Sequence, residues 1–421
     1  MDRIVVTGGA RLSGEVTVSG SKNASLALMA AALLAEGESV LHNVPRVRDV
    51  DAMLELLKAL GAEASRDDDD PGTLRIDARR LSEPEAPYDL VRKMRASFMV
   101  LGPLVARCGR GRVSEPGGCA IGVRPVDQHL KGLAALGAKV LCDHGYVEAA
   151  APRLRGAELT FDLVTVNGTQ NVMLAATLAE GESVLENAAR EPEVVELARV
   201  LRRMGAEILG EGTSRIEVRG RGQLLPFEHT VSGDRIEAGT LLAAGAISGG
   251  DVLVRGADPA SLRTVLDTLE EAGIAVEVNE GGVRTRAGEK PRGIRVETAP
   301  FPGFPTDMQA QIMALLCVAE GTSVITESVF ENRFMHVPEL HRMGADIAVS
   351  GRSAHVRGVP KLSGAPVMAT DLRASAGLIV AALAAQGETV LNRVYHIDRG
   401  YERIEEKLRS LGAAIRREDE R

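Results

Sequence analysis

The chain has 421 residues, 45% of them hydrophobic and 26% charged, too long for one compact core, and two domains of roughly 200 residues are the natural division. Only 3% of the residues are aromatic and the net charge is −8, which argues against stacking platforms for single-stranded nucleic acid and against DNA or an anionic membrane as partner. An anionic ligand therefore requires a local cluster of Arg and Lys set against the global charge.

The N-terminal stretch MDRIVVTGGARLSG has no basic segment followed by a long apolar one, so no secretory signal is read. No apolar run reaches the ~18–20 residues of a membrane span, and a soluble, cytoplasmic protein is expected. Beyond this stretch six segments repeat one pattern. An Ala-rich apolar run ends in Gly and a short strand, and an amphipathic run follows that closes on another Gly and a strand. The first copy reads KNASLALMAAALLAEGESVLHN, then DVDAMLELLKALGAEAS; the third reads GTQNVMLAATLAEGESVLEN, then EVVELARVLRRMGAEIL; the sixth reads DLRASAGLIVAALAAQGETVLNR, then YERIEEKLRSLGAAIRR. The closing glycines are Gly61, Gly137, Gly205, Gly273, Gly344 and Gly412, about 70 residues apart, so each copy is a substantial α/β unit rather than a solenoid repeat.

The first helix of each copy is apolar nearly all round, which predicts burial on all sides. The second carries apolar residues at helical spacing, such as Leu54, Leu57 and Leu60, and is a surface helix with one buried face. Gly37, Gly181, Gly321 and Gly387 follow the buried helices where a left-handed residue is expected. Six copies divide into two sets of three, giving an α/β fold of two inside-out domains with buried central helices. No GxGxxG or Walker loop is present, so neither a dinucleotide fold nor a P-loop is supported. The run Asp67–Asp70 reads as a solvated loop tip.

Four cysteines form no CxxC and stand at no metal-ligand spacing, so neither a disulfide nor a metal site is expected. Cys108, Cys142 and Cys317 lie in helical or strand patterns and are expected to be small core residues. Cys119, in EPGGCAIGVRP, lacks such a pattern and reads as a reactive thiol on a Gly-rich loop.

The starts of four of the six buried helices carry charge of the unfavourable sign. Lys22 and Asn23 open the first, Arg95 the second, Thr169 and Gln170 the third, Asp234 and Arg235 the fourth, Thr306 and Asp307 the fifth, Asp371 and Arg373 the sixth. Asp and Thr are ordinary N-caps, but a cation at a helix N-terminus costs a few tenths of a kcal/mol or more. A shared anionic ligand, held by free N–H groups and guanidinium forks, accounts for that cost.

KN at 22–23, RAS at 95–97, PGGCAIGVRPVDQH at 116–129, FPTDMQAQ at 304–311, VFENRFMHV at 329–337, ATDLRASA at 369–376 and HIDRGYERIE at 396–405 stand in order. Together they resemble the enolpyruvyl transferase family, over nearly the whole chain. The resemblance implies two inside-out α/β barrel domains with the active site in a cleft, one spanning 21–232 and the other joining 1–20 to 233–421. It implies transfer of the enolpyruvyl group of phosphoenolpyruvate to the 3′-hydroxyl of UDP-N-acetylglucosamine, with release of phosphate, as the first committed step of peptidoglycan precursor synthesis. No metal or organic cofactor is implied.

By resemblance Cys119 is the acid and Asp307 the base. Lys22, Arg124, Arg333, Arg373 and Arg399 would hold phosphoenolpyruvate. Asn23, Arg95, Arg124, Pro125, Val126, Asp127, Gln128, Asp307 and Val329 would contact the UDP-sugar, and Arg235 would stabilise a closed state. Val164, Thr165 and Val166 would line the uridine side, where Leu163 stands at a position that carries Lys in some relatives. His129, His336 and His396 are expected to support neighbouring groups by hydrogen bonds. The competing readings are transfer to 3-phosphoshikimate, a silent UDP-sugar-binding regulator, and a cysteine hydrolase. The loop PGGCAIGVRPVD disfavours the first, the presence of both Cys119 and Asp307 the second, and the lack of a Cys/His pairing the third.

Overall fold

A computed structural model of the chain describes residues 2–115, 126–288 and 290–419. They form two compact units. Among the described residues, one comprises 20–115 and 126–232; the other joins the segment ending at Ser19 to the segment beginning at Gly233.

Every repeat builds a four-stranded sheet of the same plan. In the third, Glu158–Thr160 lies parallel to Glu182–Glu186, with Leu159 opposite Leu185. Glu182–Glu186 runs antiparallel to Arg215–Arg219, which runs antiparallel to Glu207–Leu209. Inward residues such as Leu185, Ile216 and Val218 are buried and their neighbours less so, the period-2 pattern of a sheet covered on one face. Three sheets borrow strands from far along the chain. Glu228–Thr230 supplies the parallel strand of the first repeat, beside Glu38–His42. In the other unit Ser13–Thr17 lies parallel to Asp251–Arg255. There Arg3–Thr7 sits between Glu388–Asn392 and Ala414–Glu418, antiparallel to both.

The apolar helices are inside. In the unit from Gly20 to Ser232 they are Lys22–Ala31, Leu101–Cys108 and Val166–Ala176. In the other they are Arg235–Ile247, Gln309–Leu316 and Leu372–Ala384, which pack against one another. Every residue of Gln309–Leu316 is buried, and each fully buried Leu or Ile contributes about 1.5–3 kcal/mol relative to exposure. Small residues let these helices approach closely. A Cβ on Gly377 would stand 2.8 Å from the Ala310 carbonyl oxygen, so Ala at 377 forces the pair apart.

The second helices lie outside. Arg48–Ala59 buries Val50, Met53, Leu56 and Leu57 while Asp51, Glu55 and Lys58 face solvent. Leu60 follows and is fully buried, and all six closing glycines have positive φ, from 87° to 107°. That is the left-handed C′ conformation in which other residues are strained.

Two expectations are corrected. Cys142 is exposed; it lies in Lys139–Asp143, the outermost strand of its sheet, where only Val140 is half-buried against the core. The third inner helix begins at Val166, with Thr165 as its N-cap, so Thr169 and Gln170 lie inside it and are buried. Cys317 is fully buried and Cys108 partly so. Asp68, Asp69 and Asp70 are exposed at a loop tip.

Candidate active site

In the unit that contains the chain's C-terminal half, three expected residues meet. Asp307 lies in the 3-10 turn Thr306–Met308 that leads into Gln309–Leu316. Arg333 Nη2 donates to its Oδ1 at 2.8 Å, and Arg373 Nε donates to its Oδ2 at 3.0 Å. Arg333 and Arg373 are 5% and 3% exposed, so two buried guanidiniums share one carboxylate.

Arg373 is the second residue of Leu372–Ala384, whose N-cap Asp371 accepts the backbone N–H groups of Arg373 and Ala374. That cap turns the side chain inward, over the Tyr401 ring at 5.3 Å, a cation–π contact. The Tyr401 hydroxyl lies 2.9 Å from Thr240 Oγ1 and accepts from Gln311 Nε2 at 3.1 Å, so the aromatic platform is itself fixed. Burial works against the Arg373 charge, but Asp307, Tyr401 and Asp234 prevail and hold it above the ordinary guanidinium range. Its Nη1 is buried without a hydrogen bond among the described residues. An orphaned buried donor costs about 1–3 kcal/mol.

Arg235 is the first residue of its inner helix and stands 5.8 Å from the Phe301 ring. Arg399 closes the 3-10 segment Val394–Arg399, and with burial as the larger cause it helps to lower the pKa of the half-buried His396. Val329 donates its backbone N–H to Glu327.

In the other unit, Lys22 is the first residue of its helix, with Asn23 beside it and Ser21 as N-cap. Lys22 Nζ is 3.4 Å from the buried Asp49. Gln128 Nε2 donates to Asp127 Oδ2 at 2.9 Å and Asp162 Oδ2 at 3.0 Å, and Gln128 Oε1 accepts the Asp162 backbone N–H. This ties the start of Asp127–Ala135, preceded by Val126, to the segment carrying Leu163, Val164, Thr165 and Val166. Leu163 is half exposed. Arg95 opens the 3-10 segment Arg95–Val100. Cys119, Arg124 and Pro125 lie outside the described residues.

His129 and His336 are buried near these groups. Burial, with Arg95 adding to it, lowers the His129 pKa to about 3, and burial, with Arg333 adding to it, lowers that of His336 to about 4. Both imidazoles are neutral in the folded protein, and His129 Nδ1 is 2.9 Å from Asn171 Nδ2. The unfolded chain protonates them near 6.5. Stability from these groups is therefore complete above that value and is lost as pH falls toward the folded values. The expected slope is roughly 1.4 kcal/mol per pH unit for each imidazole. Urea unfolding at about pH 7 and about pH 5 measures it, and a His129→Gln variant that keeps the full slope refutes the assignment to His129.

Tyr401 and Glu327 were not singled out in the sequence. Tyr401 sits inside HIDRGYERIE, where the charged neighbours drew attention; Glu327 follows a strand and carries no local signal. Among the described residues no cluster of three or more His, Cys, Asp or Glu is placed to hold a metal ion.

A family model described as EPSP synthase (3-phosphoshikimate 1-carboxyvinyltransferase) matches residues 6–408. The chain belongs to this enolpyruvyl transferase family. It is 60% identical over 420 residues to the UDP-N-acetylglucosamine 1-carboxyvinyltransferase of Anaeromyxobacter sp. (strain Fw109-5), covering 99% of this chain and 100% of that protein. It is 58% identical to the protein of the same name from Myxococcus xanthus (strain DK1622), covering 99% and 100%. Among solved structures, the enolpyruvyl transferase NikO from Streptomyces tendae superposes with a TM-score of 0.88 at 30% identity, over 99% of this chain and 98% of that one. EPSP synthase from Acinetobacter baumannii shares the fold, with a TM-score of 0.77 at 19% identity over all of both chains. The chain therefore has the enolpyruvyl transferase fold, and no helix among the described residues is long and apolar enough to cross a membrane.

Proposed function

We propose that this enolpyruvyl transferase is a UDP-N-acetylglucosamine 1-carboxyvinyltransferase, acting in peptidoglycan precursor synthesis. It moves the enolpyruvyl group of phosphoenolpyruvate to the 3′-hydroxyl of UDP-N-acetylglucosamine and releases phosphate. The observation that carries this reading is the whole-length likeness, at 56–60% identity, to bacterial proteins of that name.

The chemistry needs an acid, a base and an anion clamp. The methylene carbon of phosphoenolpyruvate takes a proton, leaving an oxocarbenium-like centre at C2. The sugar hydroxyl attacks C2 as its own proton passes to a base, and the tetrahedral adduct then loses phosphate and a methyl proton. We assign the acid to Cys119 and the base to Asp307. Arg333 and Arg373 take the carboxylate of phosphoenolpyruvate; Lys22, Arg124 and Arg399 take its phosphate. Asn23, Arg95, the run Arg124–Gln128, Val164–Val166 and Val329 serve the UDP-sugar.

The pairing of Asp307 with both guanidiniums supports a further step in this reading. A carboxylate held by two cations is a poor base. When the substrate carboxylate occupies the two forks, Asp307 loses those partners and its proton affinity rises. The base is thus strengthened by the arrival of the group it serves.

The family model's own description names 3-phosphoshikimate, so the acceptor decides between the two enzymes. Phosphate release from phosphoenolpyruvate is expected with UDP-N-acetylglucosamine and not with shikimate 3-phosphate. Alkylation of Cys119 is expected to abolish it. Release with shikimate 3-phosphate alone overturns the assignment.

A further inference from the structure

Glu327 is 1% exposed, and its carboxyl group collects four hydrogen bonds. Oε1 accepts the Thr298 hydroxyl at 2.8 Å and the backbone N–H groups of Val329 and Phe330 at 2.9 and 3.0 Å. Oε2 accepts the Thr306 hydroxyl at 2.9 Å. None of the four donors is a cation, an unusual state for a carboxyl group so deeply buried. The four hydrogen bonds offset the cost of burying it, and what they organise is specific. Thr306 directly precedes Asp307, and its Oγ1 accepts Arg333 Nη1 at 2.9 Å. Val329 and Phe330 begin the loop that reaches Arg333, whose guanidinium lies 5.4 Å from the Phe330 ring.

We propose that Glu327 is a positioning residue that sets the Arg333 fork through Thr306. A hydroxyl has one hydrogen to give. Because Glu327 takes that hydrogen, the lone pairs of Thr306 face Arg333, and the guanidinium is held by Thr306 on one nitrogen and Asp307 on the other. A single buried carboxyl group thereby fixes both the turn that carries the base and the loop that carries one arm of the clamp. The proposal rests on the reading of Arg333 as a carboxylate clamp for phosphoenolpyruvate.

Glu327→Gln separates this role from simple packing. The amide oxygen replaces Oε1 and keeps the Thr298, Val329 and Phe330 bonds. The amide NH2 replaces Oε2 and presents a donor to Thr306, whose own hydrogen then has no acceptor there. The variant is expected to melt within a few degrees of the parent, raise KM for phosphoenolpyruvate about tenfold and leave KM for the UDP-sugar within about twofold. Thr306→Val removes the same relay from its other side and should give the same split. Because both variants break one chain of bonds, the double variant should be no worse than either single one.

An unchanged KM for phosphoenolpyruvate in Thr306→Val, or additive effects in the double variant, overturns the proposal. So does a fall in stability with the two KM values moving together. If Glu327→Gln does not fold, Thr306→Val alone carries the test. Phosphoenolpyruvate is common to both candidate acceptor reactions, so the kinetics are run with whichever acceptor the parent turns over. A wrong acceptor assignment therefore fails in the parent enzyme, and a wrong role for Glu327 fails only in the variants.

Discussion

An Asp307→Asn enzyme is expected to lose about 10²–10⁴-fold in kcat, the usual contribution of a general base, while binding phosphoenolpyruvate at least as tightly as the parent. The two halves of this expectation come from one geometry. Asp307 takes a bond from each of two buried guanidiniums, so it competes with the substrate carboxylate for them. Asn is close in size, carries no charge and has one fewer acceptor oxygen, so it competes less and accepts no proton. Steady-state phosphate release against varied phosphoenolpyruvate measures both terms. A kcat within tenfold of the parent, or a loss confined to KM, removes Asp307 from the base role. The variant should also melt lower, because Arg333 and Arg373 then face each other without their shared counter-charge.

The largest loss of stability is expected at Lys407. Glu237 is 2% exposed; it accepts Lys407 Nζ at 2.5 Å and the Ser19 backbone N–H at 2.7 Å. Lys407 also donates to the Ser19 hydroxyl at 2.8 Å. Lys407→Met leaves a buried carboxylate without its cation, which typically costs about 3–5 kcal/mol. Burial already raises the Glu237 pKa against the pull of Lys407, and losing the lysine raises it further. A carboxyl group with a raised folded pKa binds protons in the native state before the unfolded chain does. The deficit of the variant relative to the parent therefore shrinks as pH falls from neutral toward about 4.5, the unfolded value, whatever the histidines common to both do. Denaturant unfolding of parent and variant at both ends of that range is the measurement. A difference below about 1 kcal/mol at neutral pH means that the pair contributes no more than a surface ion pair.

The repeat was legible because its two signals are local. An apolar Ala-rich run and a glycine that must sit at positive φ recur at each copy, and neither depends on distant partners. The start of the third inner helix was misread because its cap, Thr165, stands between two valines and resembles a strand. Cys142 was misread because a strand pattern does not say whether the strand is an edge. The contacts of the cluster at Asp307 lie beyond any local rule. Asp307, Arg333 and Arg373 come from three separate elements; the helix starts pointed to Asp307 and Arg373, and only the family resemblance added Arg333 in advance. Glu327 shows the same limit from the other side: its importance lies in four donors spread from Thr298 to Phe330, and no motif marks it.

The placement of Arg3–Thr7 has a bearing on how the protein is made. Its partners include Ala414–Glu418, and Arg3 bonds Glu418 across 415 positions of chain. On a ribosome emitting roughly 5–20 residues per second, the segment from Gly20 to Ser232 is complete and can fold while its host is half built. The opening strand meanwhile waits as an unpaired edge, the state in which nascent chains are most prone to stick to one another. The first strand to be synthesised is the last to be seated.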